Sequence, residues 1–381
     1  MAKQRIESIY FLRLIAMLCV VLVHVTATYY STLDMGSGAF AKYHFLNRII
    51  RIEAGIFIMI TGLVFFFNYY KKQWTKSVIA DYYKKRVFYI VVPYVVWALF
   101  YEGYAVLTQD RSLSFVSVTK NILTGDSYYQ LHFIFLIVQF YIVLPLFVYA
   151  AQKLSFFKRY MWLFGIAIDA GYYWLNSTYN FTDEVLFLKA IGPFLLGGWL
   201  GLHYLEEKQK ASNKSGIVYG IITVIAGSLT SLYYYYVYTV GEIKVSWDFY
   251  EYLNLVYLIV GGYFFFRLTE WISQKLTADK IQMAKNVALY SFGFYLLHPF
   301  VIKEVKRVIP IHNNYWFHVE VLTQYIVVVI LCYFIIWAVH RYFPWANLIF
   351  GKLPEKSPLF WQTSKRQQQR QERYNEQTVN T

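Results

Sequence analysis

The chain has 381 residues, of which 58% are hydrophobic, 21% are aromatic and only 15% are charged. Soluble domains carry about a quarter charged residues, so this composition excludes an ordinary soluble protein. The net charge of +14 does not indicate nucleic-acid binding, because the basic residues lie mainly in alternate connections between apolar segments, as in membrane proteins.

Apolar blocks near 20 residues long recur along the chain, and a helix needs about 20 residues to cross a bilayer core. We therefore predict an all-α, polytopic membrane helix bundle of about ten transmembrane helices. The predicted spans are 9–29, 50–69, 87–105, 132–150, 160–176, 186–204, 216–237, 250–267, 286–303 and 321–342. The first is kept as a helix, since it is too long for a signal peptide and no convincing cleavage site follows it.

The charges of the connections predict the orientation of the bundle. Basic residues dominate 70–86 and 151–159, which we expect to be cytoplasmic. The connections 106–131 and 177–185 are balanced or acidic, and we expect them to face outward. Ten spans then place both termini in the cytoplasm.

We expect residues 1–354 to form one transmembrane domain and residues 355–381 to form a basic, glutamine-rich, disordered cytoplasmic tail. The two cysteines, Cys19 and Cys332, lie inside apolar spans and form no disulfide framework or metal-ligand spacing. The sequence therefore implies no bound metal or prosthetic cofactor.

His24 is the most informative residue, because it is an ionisable group inside the first apolar span. Arg13 precedes it by eleven residues, a spacing that returns to nearly the same helix face about 16 Å along the axis. Ionisable groups are costly in hydrocarbon, so this face should contact protein or water. We predict a catalytic or proton-handling role for His24.

Under the predicted topology, four helices carry titratable residues to one level in the outer half of the membrane. These residues are His24, Arg48, Arg51, Glu53, His132 and His298. Four of them also have a structural interpretation: Arg51 and Glu53 as an interfacial pair, His132 as a residue of a helix mouth, and His298 as the cap of a break before proline.

Ser291, Tyr295 and His298 follow the spacing i, i+4, i+7, which places a hydroxyl, a phenol and an imidazole on one helix face. This face would bind a polar substrate or form a hydrogen-bonded seam between helices. The spacing of Gly197 and Gly201 predicts close helix packing instead.

Lys84, Lys85 and Arg86 precede the third predicted span on the side where Arg13 enters the first. Fixed positive charge at this level would hold the phosphates of an incoming substrate. Topological anchoring is the better interpretation of the two lysines, so Arg13 and Arg86 are the candidate phosphate-binding residues.

Five segments in order resemble signatures of the acyltransferase 3 family of integral membrane acyltransferases, over roughly residues 6–350. They are Leu12–Ala16 with Val20–His24, Gly55–Gly62, Arg86–Tyr94, His132 with the aromatic residues that follow it, and Ser291–Pro299.

The chain departs from the usual family pattern at Tyr10, Tyr89 and Phe133. The same departures, and the segment Phe350–Pro354, resemble one branch, the intercellular-adhesion membrane protein C of poly-N-acetylglucosamine biofilm systems. Proteins of that branch have been regarded as exporters and as O-succinyltransferases of the polymer.

The resemblance implies a membrane O-acyltransferase of the bacterial plasma membrane, with a possible polysaccharide synthase complex as partner. An acyl group, acetyl or succinyl, would pass from a cytoplasmic acyl-CoA co-substrate to a hydroxyl of a cell-surface glycan. In this scheme His24 is the general base with Glu53 as its acid partner, Arg13 and Arg86 bind the donor, and His132, Ser291, Tyr295 and His298 contact substrate.

Two other functions stay open at this point. A transporter would export or flip a polysaccharide or its lipid-linked precursor, although we find no paired discontinuous helices or internal symmetry in the sequence. A purely structural partner in a synthase complex would leave the face shared by Arg13 and His24 unexplained.

Overall fold

The computed structural model describes residues 6–109, 114–182, 185–211, 214–245, 247–310, 312, 314–354 and 359. All regular secondary structure in these ranges is helical, which confirms the predicted all-α class. The predicted tail lies outside the described residues except for Leu359, and so do the charged positions Asp110, Arg111, Asp183 and Glu184 of the predicted outer connections.

The helices are α1 (Ser8–Tyr30), α2 (Gly38–Ile49), α3 (Glu53–Tyr69), α4 (Lys76–Arg86), α5 (Val92–Gln109), α6 (Phe115–Thr124), α7 (Leu131–Lys153), α8 (Ser155–Tyr179), α9 (Ile191–Leu202), α10 (Tyr204–Lys210), α11 (Ser215–Tyr234), α12 (Trp247–Lys275), α13 (Ala278–Ala288), α14 (Ser291–Val308), α15 (Phe317–Tyr342) and α16 (Ala346–Phe350). A π-helical turn, Val87–Val91, joins α4 to α5, and a second one, Tyr235–Thr239, extends α11. A 3₁₀ turn, Phe187–Ala190, leads into α9.

Each of the ten predicted spans overlaps helical structure. Within the described residues, seven helical segments are long and apolar enough to cross a membrane. These are Ser8–Tyr30, Gly38–Tyr69, Lys76–Thr108, Leu131–Lys153, Ser215–Thr239, Phe249–Lys275 and Phe317–Tyr342. The chain is therefore a multi-pass membrane protein. The count of ten spans and the cytoplasmic position of both termini stay predictions.

Three predicted spans do not meet the same criterion of length and composition. Phe187–Leu202 is apolar but short, α8 carries charged residues along its length, and the last turns of α14 are charged. The second predicted span also differs, because residues 50–52 form a turn and the chain before them folds as a separate helix, α2.

The two connections predicted to be cytoplasmic meet on one side of the bundle. The Gln152 amide donates hydrogen bonds to the carbonyls of Tyr70, at 2.6 Å, and Lys72, at 3.0 Å. The ammonium group of Lys158 lies 5.0 Å from the centre of the Tyr70 ring. We call this side the basic face. It contains the connection 70–75 and the junction between α7 and α8, residues 153–159.

Helix α1 lies at the centre of the bundle and contacts α2, α3, α12, α13, α14 and α15. Its residues belong to two apolar cores. Leu12 and Ala16 pack with α3 and α12, whereas Met17 and Val21 pack with α14 and α15. Because protein surrounds α1, the polar side chains of this helix are placed inside the bundle.

Helices α3 and α9 pack backbone against backbone through glycines. A Cβ atom added at Gly62 would collide with the Phe194 carbonyl, and one at Gly197 would collide with the Met59 carbonyl. Gly201 faces the Leu63 carbonyl in the same way. This confirms the predicted packing role of Gly197 and Gly201.

We expect Gly197→Ala to lower the free energy of unfolding by roughly 2 kcal/mol, because the added methyl group must push the two backbones apart. Chemical or thermal unfolding of the purified protein in detergent measures this loss. The matched control is Gly103→Ala in α5, where a Cβ meets nothing within 4 Å and the better helix propensity of alanine gives an equal or higher stability. Equal effects of both substitutions would contradict the close α3–α9 packing.

Candidate active site

A cavity of about 490 Å³ lies between α1, α3, α7, α14 and the chain that joins α4 to α5. Its wall is largely apolar, with Phe57, Ile90 and Phe133 among the lining residues. Among the described residues, three cationic side chains also line it, and no carboxylate does. They are Arg13, Arg86 and Lys352. Arg13 lies in the second turn of α1, and Arg86 is the last residue of α4, the helix that follows the 70–75 connection of the basic face.

The Arg86 guanidinium lies near two aromatic rings, 4.9 Å from the centre of Tyr82 and 4.8 Å from the centre of Tyr141. The Tyr82 hydroxyl donates to the Tyr141 carbonyl at 3.0 Å, which holds the two tyrosines together. Neither Arg13 nor Arg86 forms an ion pair within the described part of the chain. Both charges are therefore available to an anionic ligand.

The inner end of the cavity is formed by Ser291 and Tyr295, on one face of α14. A narrow gap continues from there along α1, beside Met17, Val20 and Val21. Val20 precedes His24 by one helical turn, about 6 Å along the axis. This gap has no room for a water molecule, and it ends one turn short of His24.

His24 packs against two aromatic rings in the interior. Its ring centre lies 4.8 Å from that of Tyr129 and 5.1 Å from that of His298. The His298 ring lies 6.0 Å from Tyr295, which links the imidazoles to the inner end of the cavity. The structure therefore brings His24 and His298 to one level, as the sequence predicts.

The hydrogen bond of His298 defines its tautomer. Nδ1 lies 2.9 Å from the Phe294 carbonyl, and a carbonyl only accepts, so Nδ1 carries the proton. Nε2 is then the basic nitrogen, and it is buried without a hydrogen-bond partner in the structure. The helix continues through Pro299, so His298 does not cap a helix break.

The loop before α7 closes over His24. It begins at Gly125, whose positive φ of 86° ends α6, and the Tyr128 ring stacks on Tyr101 at 4.3 Å. Burial raises the pKa of the Tyr128 phenol, so this ring stays neutral. The Tyr295 hydroxyl donates to the backbone carbonyl of Gln130, and the buried side-chain amide of Gln130 has no hydrogen-bond partner. These contacts place the loop beside both His24 and α14.

Two more predicted site residues lie apart from both the cavity lining and the imidazole pair. His132 is 41% exposed, with Nδ1 3.8 Å from Asp126 Oδ1. Glu53 is 8% exposed, and one of its carboxylate oxygens has no hydrogen-bond partner. No hydrogen bond joins Glu53 to His24 in the structure, although Glu53 lies within electrostatic range of Tyr295, as Arg51 does of His24.

The structure therefore groups the predicted residues on two levels, with Arg13, Arg86, Ser291 and Tyr295 on the cavity and His24 with His298 beyond it. Sequence reasoning missed the residues that tertiary folding adds to them. These are Tyr129, Gln130, Tyr141 and Lys352. The only sequence signal for them was a lysine after the last span and two tyrosines just before His132.

A family model described as an acyltransferase domain matches residues 6–341 of this chain. The chain belongs to the acyltransferase 3 family. The match runs from the start of α1 nearly to the end of α15, so it includes both levels of the site. This membership identifies the protein as a membrane acyltransferase.

The chain is similar to a probable poly-beta-1,6-N-acetyl-D-glucosamine export protein of Staphylococcus aureus strain MSSA476. The two proteins are 23% identical over 317 residues, and the match covers 79% of this chain and 83% of that protein. The chain is 22% identical over 314 residues to a protein of the same description from Staphylococcus epidermidis, covering 79% and 82%. No solved structure matches the chain significantly.

We expect a cysteine at Thr61, on the cavity wall, to react with a water-soluble maleimide from the basic face, because α3 carries Thr61 and ends two turns later at the 70–75 connection of that face. Cys19 is replaced by Ala in all variants, the buried Cys332 is the internal negative control, and Lys153→Cys marks the basic face. Labelling is measured in sealed vesicles of each orientation. Absence of reaction at Thr61→Cys from the side that labels Lys153→Cys would contradict the geometry of the cavity.

Proposed function

We propose that this acyltransferase moves an acetyl or succinyl group from acyl-CoA to a hydroxyl of a cell-surface glycan in the plasma membrane of a bacterium. The donor enters the cavity from the basic face, which is the cytoplasmic side under the positive-inside rule. The glycan hydroxyl approaches from the opposite side and meets the acyl group near His24.

The charge of the cavity supports an anionic, amphipathic donor. Arg13 and Arg86 offer positive charge without a competing carboxylate in the lining, and phosphate groups form strong charge-assisted hydrogen bonds with such side chains. The apolar wall beyond them suits the long arm of coenzyme A. An uncharged polymer of N-acetylglucosamine gains nothing from these fixed cations.

The proposed reaction is a single acyl transfer. The glycan oxygen attacks the thioester carbonyl carbon while His24 takes the proton of the hydroxyl. The C–S bond breaks, the coenzyme A thiolate leaves and receives a proton, and an ester remains on the glycan. An imidazole has a suitable basicity for this task at neutral pH.

The residues around His24 have supporting roles in this proposal. The Tyr129 and His298 rings position the imidazole, and Nε2 of His298 is free to accept a hydrogen bond. Ser291 and Tyr295 contact the acyl end of the donor. Glu53 remains the candidate acid, because its free carboxylate oxygen is buried near Tyr295.

His132 lies at the start of α7, beside the loop that carries Tyr129, and its partly exposed ring faces Asp126. In the proposal this ring contacts the arriving glycan at the outer end of the site. The proposal also includes the basic tail, residues 355–381, and a polysaccharide synthase partner. Neither contributes a residue to the described site.

The observation that carries the proposal is the alignment of the two levels. A cavity with three cations has Ser291 and Tyr295 in its wall, and the Tyr295 ring lies 6.0 Å from His298, which packs against His24. A donor with a negatively charged head and a long thin arm fits this order of groups.

Export of a polysaccharide is the second candidate function, because the two relatives described above are named as probable export proteins. Loss of an exporter removes the polymer from the cell surface. Loss of an acyltransferase leaves the polymer in place without its acyl groups, so the composition of the surface polymer distinguishes the two functions.

We expect His24→Ala to lower acylation of the surface polymer by about a hundredfold or more, the usual contribution of a general base, while membrane insertion and polymer amount stay unchanged. Mass spectrometry of the purified polymer, with immunoblotting of membranes, measures all three. The matched control is His203→Ala, a histidine at the end of α9 whose ring bonds the Trp199 carbonyl of its own helix.

Normal acylation in the His24→Ala strain would contradict the base role. Disappearance of the polymer in that strain, with His203→Ala unaffected, would favour export over acyl transfer.

A further inference from the structure

After α15 the chain returns to the basic face and covers one side of the cavity. Helix α16 packs against α5, where the Trp97 indole N–H donates to the Ile349 carbonyl at 2.8 Å. The following residues, Lys352, Leu353 and Pro354, line the cavity. We call Ala346–Pro354 the return segment. It contributes a wall of the cavity that the spans before it do not supply.

Gly351 fixes the path of the return segment. Its φ of 72° and ψ of −152° lie in a region of backbone conformation that is essentially restricted to glycine. A Cβ atom there would lie 2.5 Å from the Tyr89 carbonyl oxygen and 2.9 Å from the Phe292 ring. The backbone at Gly351 therefore packs directly between two elements of the cavity wall.

His340 holds the other end of the return segment. Its Nε2 lies 3.0 Å from the Pro354 carbonyl, so Nε2 donates, and its Nδ1 accepts from the Tyr290 hydroxyl at 2.8 Å. The Leu353 N–H donates to the Asn347 side chain at 3.1 Å. Lys352 is thus flanked on both sides by backbone that the bundle holds in place.

We propose that Lys352 is a phosphate-binding residue of the donor site, and that the return segment is a built wall of that site. This proposal rests on the acyl-CoA donor proposed above. The end of the transmembrane domain then takes a direct part in donor recognition. It adds a third cation to Arg13 and Arg86.

Three observations carry this assignment. Lys352 lines the same cavity as the two arginines, and no carboxylate of the described part of the chain lines it with them. It forms no ion pair within the described residues. Its backbone is fixed on both sides, which lowers the conformational entropy lost when the ammonium group binds a phosphate.

Titration calorimetry of the purified full chain with coenzyme A tests the proposal without turnover. We expect Lys352→Gln to weaken coenzyme A binding about tenfold, the loss of one charge-assisted phosphate contact, and Lys352→Arg to restore most of it. Binding of pantetheine, which has the same arm without nucleotide or phosphate, stays as in the wild type. Lys84→Gln is the matched control, because it removes an exposed charge of α4 that does not line the cavity.

The outcomes separate this proposal from the proposed function. If the wild type binds coenzyme A and Lys352→Gln binds it as tightly as Lys84→Gln does, the role of Lys352 is wrong and the donor assignment stands. If the wild type binds no coenzyme A, both proposals are wrong.

A second pair of variants tests the positioning by the return segment. Gly351→Ala displaces the backbone beside Lys352, so we expect it to weaken coenzyme A binding while pantetheine binding is unchanged. In the double variant with Lys352→Gln, the loss of coenzyme A affinity should not exceed the larger loss of the two single variants, because both changes remove the same phosphate contact. Fully additive losses would contradict a shared role.

Discussion

The burial of α1 is the constraint on which the rest of the structure depends. An ionisable side chain in a membrane helix must find protein or water, and α1 is surrounded by six other helices. Arg13 meets this requirement by lining the cavity between α1, α3, α7 and α14. His24 meets it one level farther along, between the rings of Tyr129 and His298. A single helix therefore joins the two halves of the site.

The division into two levels matches the chemistry of an acyl transfer across a membrane. In the proposed function, donor and acceptor approach from opposite aqueous sides, so only the reacting atoms need to meet. Tyr295 lies at the boundary, since it lines the cavity, faces His298 and bonds the Gln130 carbonyl of the loop over His24.

The sequence alone predicted the parts of the site that lie within single helices. The faces shared by Arg13 with His24, and by Ser291 with Tyr295, follow from helical periodicity. The apolar spans and the glycine contacts of α9 follow from composition and spacing in the same way.

The parts that were missed depend on contacts between distant segments. Tyr129 meets His24 because a loop folds inward, and Lys352 enters the cavity because Gly351 packs against Tyr89. Helix α2 was missed because it is only weakly apolar, and a turn at residues 50–52 separates it from α3.

The central claim is that one donor spans the cavity with its phosphates at the cations and its sulfur toward the imidazoles. A cryo-electron microscopy structure with a thioether analogue of acetyl-CoA tests it directly. The account predicts phosphate density beside Arg13 and Arg86 and the sulfur at the level of Ser291 and Tyr295. Density for the analogue outside this cavity, or with its sulfur at the arginines, would contradict it.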